Sequence, residues 1–270
     1  MTADPFRLDG RVAVVTGASG RLGPIWIDTL VRAGATVVGL DLERALDRPD
    51  IARLREAHGP RAAFLACDVT SRSSLEAACV RVVGEHGQPA VLVNNAGIDQ
   101  PPEAGATRHR MEDLPVEASR AIFEVNTLGA FQVAQVFGRE MLKAGRGSIV
   151  NIGSLYASVS PDLRFYAHLA GDPPFLKPPA YGASKAALVN LTKYLATAWG
   201  PRGVRVNALS PGGVAGGQDD EFRRKFCDRV PLGRMAETAD LAGPLLFLAS
   251  DASSYVTGIE LRVDGGFTAW

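Results

Sequence analysis

Short apolar runs alternate with longer amphipathic stretches along the whole chain. Each short run is apolar on both faces, which is typical of strands buried on both sides of a parallel sheet. These runs occupy residues 12–15, 36–40, 62–66, 91–93, 148–152, 204–209 and 260–263. Stretches with helical spacing occupy residues 22–33, 73–86, 116–144, 181–199 and 239–248. The alternation predicts an α/β fold with a doubly wound parallel sheet of about seven strands in three α/β/α layers.

Polar and glycine residues at the ends of these stretches predict where helices begin and end. Ser73 and Glu76 have the S-x-x-E spacing of a capping box, which predicts a helix start at Ser73. Gly34 and Gly87 follow two of the helical stretches, where glycine commonly ends a helix. The chain has no internal repeat and no low-complexity linker, so a single domain over residues 1–270 is expected.

Three long segments interrupt the alternation, at residues 97–114, 157–179 and 212–231. Each follows a predicted strand and is therefore expected at the carboxyl edge of the sheet, where open α/β sheets bind ligands. Long segments at such an edge are commonly lids or walls of a binding site. We expect residues 157–179 to form an inserted segment beside the site and residues 212–231 to form a substrate lid.

Charge and cysteine content argue against several functional classes. Lys plus Arg and Asp plus Glu number 29 each, so the net charge is zero and no nucleic-acid partner is expected. The three cysteines and four histidines lack metal-ligand spacing, so neither a metal site nor a disulfide framework is expected. Residues 1–10 lack the apolar core of a signal peptide, and no apolar run reaches membrane-spanning length. These features predict a cytoplasmic protein that acts on a small molecule.

The first strand leads into a glycine-rich loop, TGASGRLG at residues 16–23, and then into a helix. Glycines there let the backbone approach a pyrophosphate, whose charge is met by the helix N-terminus. A glycine-rich turn alone is a weak signal, but this strand–loop–helix context is the one that a dinucleotide site requires. The expected Rossmann-type cofactor site includes Gly17, Ser19, Gly20, Arg21 and Leu22.

The end of the second strand bears on the choice between NAD and NADP. Asp41 stands there, where a carboxylate can accept both hydroxyls of the adenosine ribose and repel a 2′-phosphate. Arg21 argues the other way, because a cation beside the phosphate loop can attract NADP. We weigh Asp41 more heavily and predict NAD, with NADP as the less favoured cofactor. Asp68 and Val69, after the third strand, are expected at the adenine pocket, although Asp68 could equally cap a loop.

Several further motifs follow along the chain. They are NNAG at residues 94–97, Asn126 within VNTLG, Ser154 after the fifth strand, YGASK at 181–185, SPGG at 210–213 and VDGG at 263–266. In this combination the chain resembles the classical short-chain dehydrogenase/reductase family over essentially its whole length. The resemblance implies a homotetramer and a catalytic set formed by Asn126, Ser154, Tyr181 and Lys185. The cofactor residues that it adds are Asn95, Ala96, Gly97, Tyr181, Lys185, Pro211, Gly212 and Val214.

Three features depart from the family pattern. Arg21 stands where the family has its second motif glycine, with Gly20 one place early. The threonine that often follows the PG turn is absent, and Gly216 stands near its place. The gap from Ser154 to Tyr181 is longer than usual and rich in proline. None of these departures removes a catalytic group.

The chemistry of hydride transfer explains the expected catalytic residues. Alcohol oxidation releases a hydride, which a nicotinamide cofactor accepts, and a proton, which the protein must accept. A free phenol titrates near about 10, too high for a base at neutral pH. Lys185 follows Tyr181 by one helical turn, so its ammonium, together with the charge of the nicotinamide ring, is expected to lower the pKa of the phenol. Ser154 is expected to donate to the substrate oxygen, and the resemblance implies that Asn126 anchors a water near Lys185.

Each of these residues also has a purely structural interpretation. A Tyr/Lys pair one turn apart is frequent on helix surfaces, Ser154 could cap the end of a strand, and Asn126 could be a surface amide. The nearby Tyr156 and Tyr166 have no lysine one turn later and are interpreted as pocket lining. The joint occurrence of the motifs in one order favours catalysis.

The substrate is constrained only by the three long segments, which carry cations and no obvious apolar lid. We expect a polar or anionic substrate, such as a sugar, sugar acid or sugar derivative, contacted by Tyr156, Arg164, His168 and Gly213. It would undergo interconversion of a secondary alcohol and a ketone, or of a hemiacetal and a lactone. The cations could equally lie on solvated helix faces.

Two other interpretations of the whole chain are a 3-oxoacyl thioester reductase using NAD(P)H and a catalytically silent NAD(H)-binding sensor or scaffold.

Apolar surface elsewhere bears on assembly. The helical residues 188–195 and 241–248 could supply subunit interfaces or pack only on their own sheet. Residues 267–270 are apolar for a free terminus. We expect this terminus to pack on a neighbouring subunit or beside the pocket.

Overall fold

Parallel strands form one sheet in the computed structural model, which describes residues 4–99 and 108–270. The strands are β1 (Val12–Thr16), β2 (Thr36–Asp41), β3 (Ala62–Ala66), β4 (Pro89–Asn94), β5 (Gly147–Ile152), β6 (Val204–Pro211) and β7 (Glu260–Val263). Their order across the sheet is β3-β2-β1-β4-β5-β6-β7. All neighbouring pairs are parallel. The sequence prediction of a seven-stranded parallel sheet is therefore confirmed.

Helices connect the strands and cover the sheet. Those within the described residues are α1 (Gly23–Arg32), α2 (Pro49–His58), α3 (Arg72–His86), α4 (Val116–Phe123), α5 (Ala130–Ala144), α6 (Pro179–Trp199), α7 (Asp220–Cys227) and α8 (Ala242–Ala249). A π-helical turn, Glu124–Gly129, joins α4 directly to α5. The stretch predicted as one helix over residues 116–144 is thus continuous, but it widens at Asn126.

Two apolar layers enclose the sheet. Trp26 of α1 lies fully buried in one layer, with apolar residues of α2 and α8. Phe137 of α5 lies fully buried in the other, with apolar residues of α3 and α6. Successive residues of a strand point to opposite faces, so Val15 of β1 packs in the first layer and Val14 in the second. This is the three-layer α/β/α arrangement expected from strands that are apolar on both faces.

The apolar pattern of the sequence misses two helices, α2 and α7. Both are dominated by charged side chains. Only Ile51 and Leu54 are buried in α2, and only Phe222 and Phe226 in α7. Two buried residues per helix give too narrow an apolar stripe for the periodicity to stand out. The lid predicted at residues 212–231 therefore contains a helix.

The start of α3 also differs from the prediction. Its N-cap is Ser71, whose hydroxyl accepts a hydrogen bond from the Ser74 backbone N–H at 3.3 Å. Ser73 is therefore not the cap. Glu76, expected to close a capping box with Ser73, instead pairs with Arg72 one turn earlier at 2.8 Å.

The order of the strands fixes where a ligand can bind. β1 lies between β2 and β4, so the order of connection reverses between β1 and β4. The loops after these two strands leave in opposite directions and open a crevice at their carboxyl ends. The segments that follow β5 and β6 border the same edge.

Several features that would suggest other functions are absent from residues 4–99 and 108–270. No helix there is both long and apolar enough to cross a bilayer. No group of three or more metal-ligating side chains occurs in these ranges. Cys67, Cys79 and Cys227 are all free thiols.

Candidate active site

A cavity of about 840 Å³ opens at the carboxyl edge of the sheet. The glycine-rich loop, including Gly17 and Gly20, lines one end. Aromatic and apolar side chains from the inserted segment and α7 line the other end. Ser154, Tyr181 and Lys185 line the region between them. The expected catalytic residues therefore meet at the junction of two chemically different compartments.

Tyr181 and Lys185 lie one turn apart on α6 and both face the cavity. Lys185 is only 4% exposed, and its ammonium donates a hydrogen bond to the Ile152 carbonyl at 2.8 Å. The Lys185 Nζ atom lies 5.9 Å from the centre of the Tyr181 ring. Helix α6 begins at Pro179, and proline suits the first turn of a helix. The local sequence thus places Tyr181 close to the helix start, at the edge of the cavity.

Ser154 follows β5 and lies beside Tyr181. The Ser154 side chain is near enough to Tyr181 for hydrogen bonding to lower the pKa of the phenol. The Ser154 hydroxyl also accepts a hydrogen bond from the Tyr156 backbone N–H at 3.2 Å and so caps the short turn after β5. The capping role that the sequence left open therefore coexists with a position suited to catalysis. Two neighbouring hydroxyls at this point can bind one substrate oxygen.

Asn126 is fully buried in the π-helical turn, where its amide bridges two elements. Its Oδ1 accepts a hydrogen bond from the Ile98 backbone N–H at 2.8 Å, and its Nδ2 donates to the Ile98 carbonyl at 3.0 Å. Nδ2 also donates to the Ser184 hydroxyl at 3.1 Å. The side chain therefore fastens the loop after β4 to α6. Its role in holding a water stays a prediction.

The protein's own charges do not make the Tyr181 phenol acidic. Burial raises the pKa of Tyr181 well above its ordinary value, and the Asp99 carboxylate raises it further; the Ser154 hydrogen bond lowers it without cancelling the rise. Burial lowers the pKa of Lys185 to about 8, because its charged form loses hydration. That Lys185 and the nicotinamide ring together lower the pKa of Tyr181 stays a prediction, because burial opposes this effect in the protein alone.

A second lysine faces the cavity beside Tyr181. Lys177, from the inserted segment, is 8% exposed, and its ammonium donates a hydrogen bond to Asp99 Oδ2 at 2.5 Å. The Lys177 Nζ atom lies 5.3 Å from the centre of the Tyr181 ring. Asp99 comes from the segment after β4, and both residues line the cavity. The sequence does not indicate this pair, because its local signal is limited to a lysine four residues before Tyr181.

An aromatic wall, defined as Phe165, Tyr166, Phe222, Phe226 and Phe267, closes the far end of the cavity. Tyr166, Phe222 and Phe226 face the cavity directly. Phe267 stacks on Phe226 with ring centres 4.9 Å apart. The sequence indicated no apolar lid. This expectation is wrong, because Phe222 and Phe226 of the predicted lid belong to the aromatic wall. One turn of α7 separates Phe222 from Phe226 and places both rings on the same helix face. The chain terminus contributes Phe267 to this wall, beside the pocket.

Tyr156 and Gly213, both expected to contact substrate, line the cavity. Burial raises the pKa of Tyr156, so this phenol stays protonated and can act as a hydrogen-bond donor. A Cβ on Gly213 would lie 2.4 Å from the Phe226 ring. Glycine at this position therefore allows the turn after β6 to pack against the aromatic wall.

Arg164 and His168, the other two expected substrate residues, do not line the cavity. Arg164 is exposed and pairs with Asp162 at 2.7 Å. His168 lies 2.8 Å from Asp219, with its ring nitrogen toward the carboxylate. Each side chain is directed to a neighbouring acid rather than to the cavity, because the inserted segment folds onto α7.

The glycine-rich end of the cavity has the shape that a dinucleotide requires. Gly17 has φ of +65°, and a Cβ there would lie 2.9 Å from the Ala96 backbone, so only glycine fits. A Cβ on Gly97 would lie 3.2 Å from Asn126 Oδ1 and 3.3 Å from Lys185 Nζ. The loop leads into α1, whose first turn carries no acidic residue. An anionic diphosphate therefore fits at this end, where the helix terminus favours negative charge.

Arg21 bridges the glycine-rich loop to the lid. Its guanidinium donates hydrogen bonds to the carbonyl of Val214, at 2.7 Å, and to that of Ala215. A Cβ on Gly216 would collide with the guanidinium. Two of the departures from the family pattern are therefore linked, because Arg21 occupies the space that a side chain at residue 216 would need.

The other expected cofactor residues divide into two groups. Those that line the cavity are Leu22, Asn95, Ala96, Pro211, Gly212 and Val214. Those that do not line it are Ser19, Asp41, Asp68 and Val69. Asp68 accepts hydrogen bonds from the Thr70 backbone N–H and hydroxyl at 2.9 and 2.7 Å, so it does cap the loop after β3.

Comparison with known proteins identifies relatives along nearly the full chain. A galactitol 2-dehydrogenase (L-tagatose-forming) from Cereibacter sphaeroides is 37% identical over 98% of this chain and 98% of its own length. A D-threitol dehydrogenase from Mycolicibacterium smegmatis is 35% identical over 97% of this chain and 95% of its own length. Both relatives are therefore similar in length and share about a third of their residues with this chain.

Solved structures agree with the fold. A gluconate 5-dehydrogenase from Burkholderia cenocepacia, in complex with NADP and tartrate, has a TM-score of 0.85 at 32% identity and covers 99% of this chain and 98% of its own. A short-chain dehydrogenase from Leptospira borgpetersenii with bound NAD+ has a TM-score of 0.84 at 31% identity, covering 99% and 97%. A family model described as enoyl-(acyl carrier protein) reductase matches residues 26–268. The chain therefore belongs to the classical short-chain dehydrogenase/reductase family of NAD(P)-dependent oxidoreductases.

Proposed function

We propose that the chain is an NAD-dependent dehydrogenase that interconverts a secondary alcohol and a ketone on a sugar-derived, hydroxyl-rich substrate. The observation that carries the proposal is that Ser154 and Tyr181 line the same cavity, with Ser154 near enough to lower the pKa of the Tyr181 phenol. Lys185 lies one turn away on α6. The glycine-rich loop adjoins the same space. One substrate oxygen could meet both hydroxyls next to a bound cofactor.

The proposed mechanism gives each side chain one task. In alcohol oxidation Tyr181 Oη accepts the proton of the substrate hydroxyl, and Ser154 Oγ donates a hydrogen bond to the same oxygen. When bound, an oxidised nicotinamide supplies the hydride acceptor and a positive ring charge. The Lys185 ammonium adds its own charge, which favours the phenolate. In ketone reduction Tyr181 returns the proton to the oxygen.

Residues in the cavity and next to it would hold the dinucleotide. The glycine-rich loop and the N-terminus of α1 suit the diphosphate, and Lys185 suits ribose hydroxyls. Asp41 at the end of β2 supports a preference for NAD, since its carboxylate would repel a 2′-phosphate. Arg21 lends no support to NADP, because its guanidinium donates to the lid backbone.

The walls of the cavity support a substrate that is both carbon-rich and hydroxyl-rich. The aromatic wall offers apolar surface to a carbon chain. The hydroxyls of Ser154, Tyr156 and Tyr181 offer hydrogen bonds nearby. The names of the two relatives refer to galactitol and D-threitol, and that of one structural neighbour to gluconate.

A substrate screen tests this function. Polyols, aldonates, steroid alcohols and acyl thioesters are offered with NAD(H) and with NADP(H), and nicotinamide absorbance is followed. We expect turnover of hydroxyl-rich compounds with NAD. Turnover confined to apolar alcohols would contradict the proposal.

The aromatic wall also favours a second candidate, the reduction of a 3-oxoacyl thioester. Its rings could pack against an acyl chain instead of a polyol. That activity would be expected to use NADPH, which Asp41 disfavours. Reduction of acetoacetyl thioester with NADPH, faster than any polyol oxidation, would establish this alternative.

We also propose a homotetramer. In α8, one predicted interface, Leu245 and Leu248 are fully buried on their own sheet and Leu246 is partly buried. Support comes instead from two exposed apolar side chains, Leu128 beside α5 and Tyr194 on α6, which are 50% and 70% exposed. Light scattering after gel filtration should give four times the chain mass, and Tyr194→Lys should lower it. The cytoplasmic location stays a prediction.

A further inference from the structure

The substrate end of the cavity contains an ion pair that the catalytic proposal does not use. Lys177 Nζ donates to Asp99 Oδ2 at 2.5 Å, and Lys177 is almost completely buried. Among the described residues this is its one hydrogen bond. An ammonium carries three N–H donors, so two remain to bind a ligand or water. The pair therefore presents donors and a carboxylate side by side, next to Tyr181.

The other two cations of the described lining, Lys185 and Arg21, are assigned to the cofactor side of the cavity. Lys185 donates to the Ile152 carbonyl, and Arg21 donates to the lid backbone at the cofactor end. Asp219 adds a second carboxylate to the cavity lining. Within the described lining, the negative charge of Asp99 therefore already balances the positive charge of Lys177.

Four of the cations that the sequence places on the long segments pair with acids outside the cavity. Arg164 pairs with Asp162, and Arg110 pairs with Asp172 at 3.1 Å. Arg224 and Lys225 pair with acids of α7, at 3.1 and 3.2 Å from Glu221. None of these four cations lines the cavity. They supply no binding site for a substrate carboxylate.

We propose that the Asp99–Lys177 pair selects neutral polyols over sugar acids, by binding neighbouring hydroxyls of the substrate. This inference rests on the proposed dehydrogenase function and narrows its substrate class. Lys177 donates to one hydroxyl oxygen, and Asp99 accepts the hydrogen of the next. A carboxylate in the same place would gain the Lys177 donors but face the negative charge of Asp99 at close range.

Matched substrate pairs test the proposal. D-threitol is compared with D-threonate, and galactitol with galactonate, so each pair differs only by one terminal carboxylate. We expect the wild-type protein to favour the polyol in kcat/KM by about tenfold or more, the ratio that a modest charge repulsion gives. Tartrate, the diacid with the threitol skeleton, should inhibit weakly.

Asp99→Asn isolates the proposed source of selectivity. The amide keeps the size of the side chain and can still accept from Lys177, but the negative charge is gone. The ratio of polyol to acid kcat/KM should fall by about tenfold, and tartrate should inhibit more strongly. Because the ratio compares two substrates on one protein, any change in Tyr181 acidity affects both and cancels.

Asp172→Asn provides the matched control. Asp172 and Arg110 join the same two segments as Asp99 and Lys177, but their pair lies at the surface. The control should keep the wild-type ratio and the wild-type response to tartrate.

A second variant, Lys177→Gln, should weaken polyol turnover without raising acid turnover. Its circular dichroism spectrum must match that of the wild type.

Three results would overturn the inference. The first is a wild-type preference for acids over polyols, which would leave the dehydrogenase proposal intact. The second is an unchanged ratio in Asp99→Asn with wild-type folding. The third is turnover of no hydroxyl-rich compound at all, which would overturn the proposed function together with this inference.

Discussion

Ser19 directs both its backbone N–H and its hydroxyl at one carboxylate oxygen of Asp41, each at 2.8 Å. The other Asp41 oxygen accepts from the Leu42 N–H at 2.8 Å. The carboxylate is thus held in place at the end of β2, next to the glycine-rich loop. About one of its four acceptor positions remains for a ribose hydroxyl, whereas the sequence suggested contacts to both.

The first prediction concerns this carboxylate. Asp41→Asn keeps acceptor capacity for Ser19 but removes the charge that would repel a 2′-phosphate. The ratio of kcat/KM with NAD to that with NADP should fall by about tenfold, or about 1.4 kcal/mol. Asp28→Asn, in α1 and paired with Arg32, is the control and should leave the ratio unchanged. An unaltered ratio in Asp41→Asn would show that the NAD preference has another source.

The second prediction concerns the bridge from Arg21 to the lid. Arg21→Ala removes the hydrogen bonds to the Val214 and Ala215 carbonyls and frees the lid from the glycine-rich loop. Charged hydrogen bonds contribute about 1.5–3 kcal/mol, so the dinucleotide Kd should rise roughly tenfold or more. Calorimetric titration with NAD measures it. Arg32→Ala, an exposed arginine at the end of α1, should bind NAD as the wild type does.

The third prediction concerns Trp26, which is fully buried and supports the glycine-rich loop through Asn95. Its indole Nε1 donates to Asn95 Oδ1 at 2.8 Å, and Asn95 Nδ2 donates to the carbonyls of Thr16 and Gly17. Trp26→Phe leaves Asn95 Oδ1 without that donor. We expect a loss of about 1–3 kcal/mol in the free energy of unfolding and weaker NAD binding.

Denaturant unfolding and calorimetric titration check both effects of Trp26→Phe. Trp199→Phe is the comparison variant, because Trp199 packs against Gly138 on α5, away from the glycine-rich loop. That variant should lose stability through packing alone and keep NAD affinity. Equal NAD affinities in the two variants would contradict a role for Trp26 in positioning the loop.

The fourth prediction concerns pH. The Asp99 carboxylate raises the pKa of Tyr181, and the ammonium groups of Lys177 and Lys185 face the ring at 5.3 and 5.9 Å from its centre. Asp99→Asn removes a negative charge, so the pKa of Tyr181 should fall. The rising limb of kcat/KM for alcohol oxidation should therefore move to lower pH, by about half a unit to one unit. Asp172→Asn should leave the profile in place; a shift to higher pH in Asp99→Asn would contradict the assignment.

The elements of the sheet could be predicted because their signals are local. The runs predicted at residues 12–15 and 260–263 match the strands Val12–Thr16 and Glu260–Val263 to within one residue. Helices α2 and α7 could not be predicted in the same way, because each buries only two residues. Their formation depends on packing against elements far away in the chain.

The candidate site could also be predicted only where its residues lie close together in the sequence. Tyr181 and Lys185 share one helix, so their proximity follows from their spacing. Lys177 and Asp99 come from segments 78 residues apart, and nothing local pairs them. The acidity of Tyr181 could not be predicted either. It depends on burial and on Asp99, and both are properties of the folded chain.

The central claim is that the Tyr181 phenol transfers the proton in a dehydrogenase reaction. Tyr181→Phe removes only the hydroxyl, so the decisive measurement is kcat/KM for polyol oxidation alongside the Kd for NAD. The account predicts that turnover falls by about 10²–10⁴-fold, the usual contribution of an acid/base group, while NAD binding changes little. Wild-type turnover in Tyr181→Phe, with the fold and NAD binding intact, would contradict it.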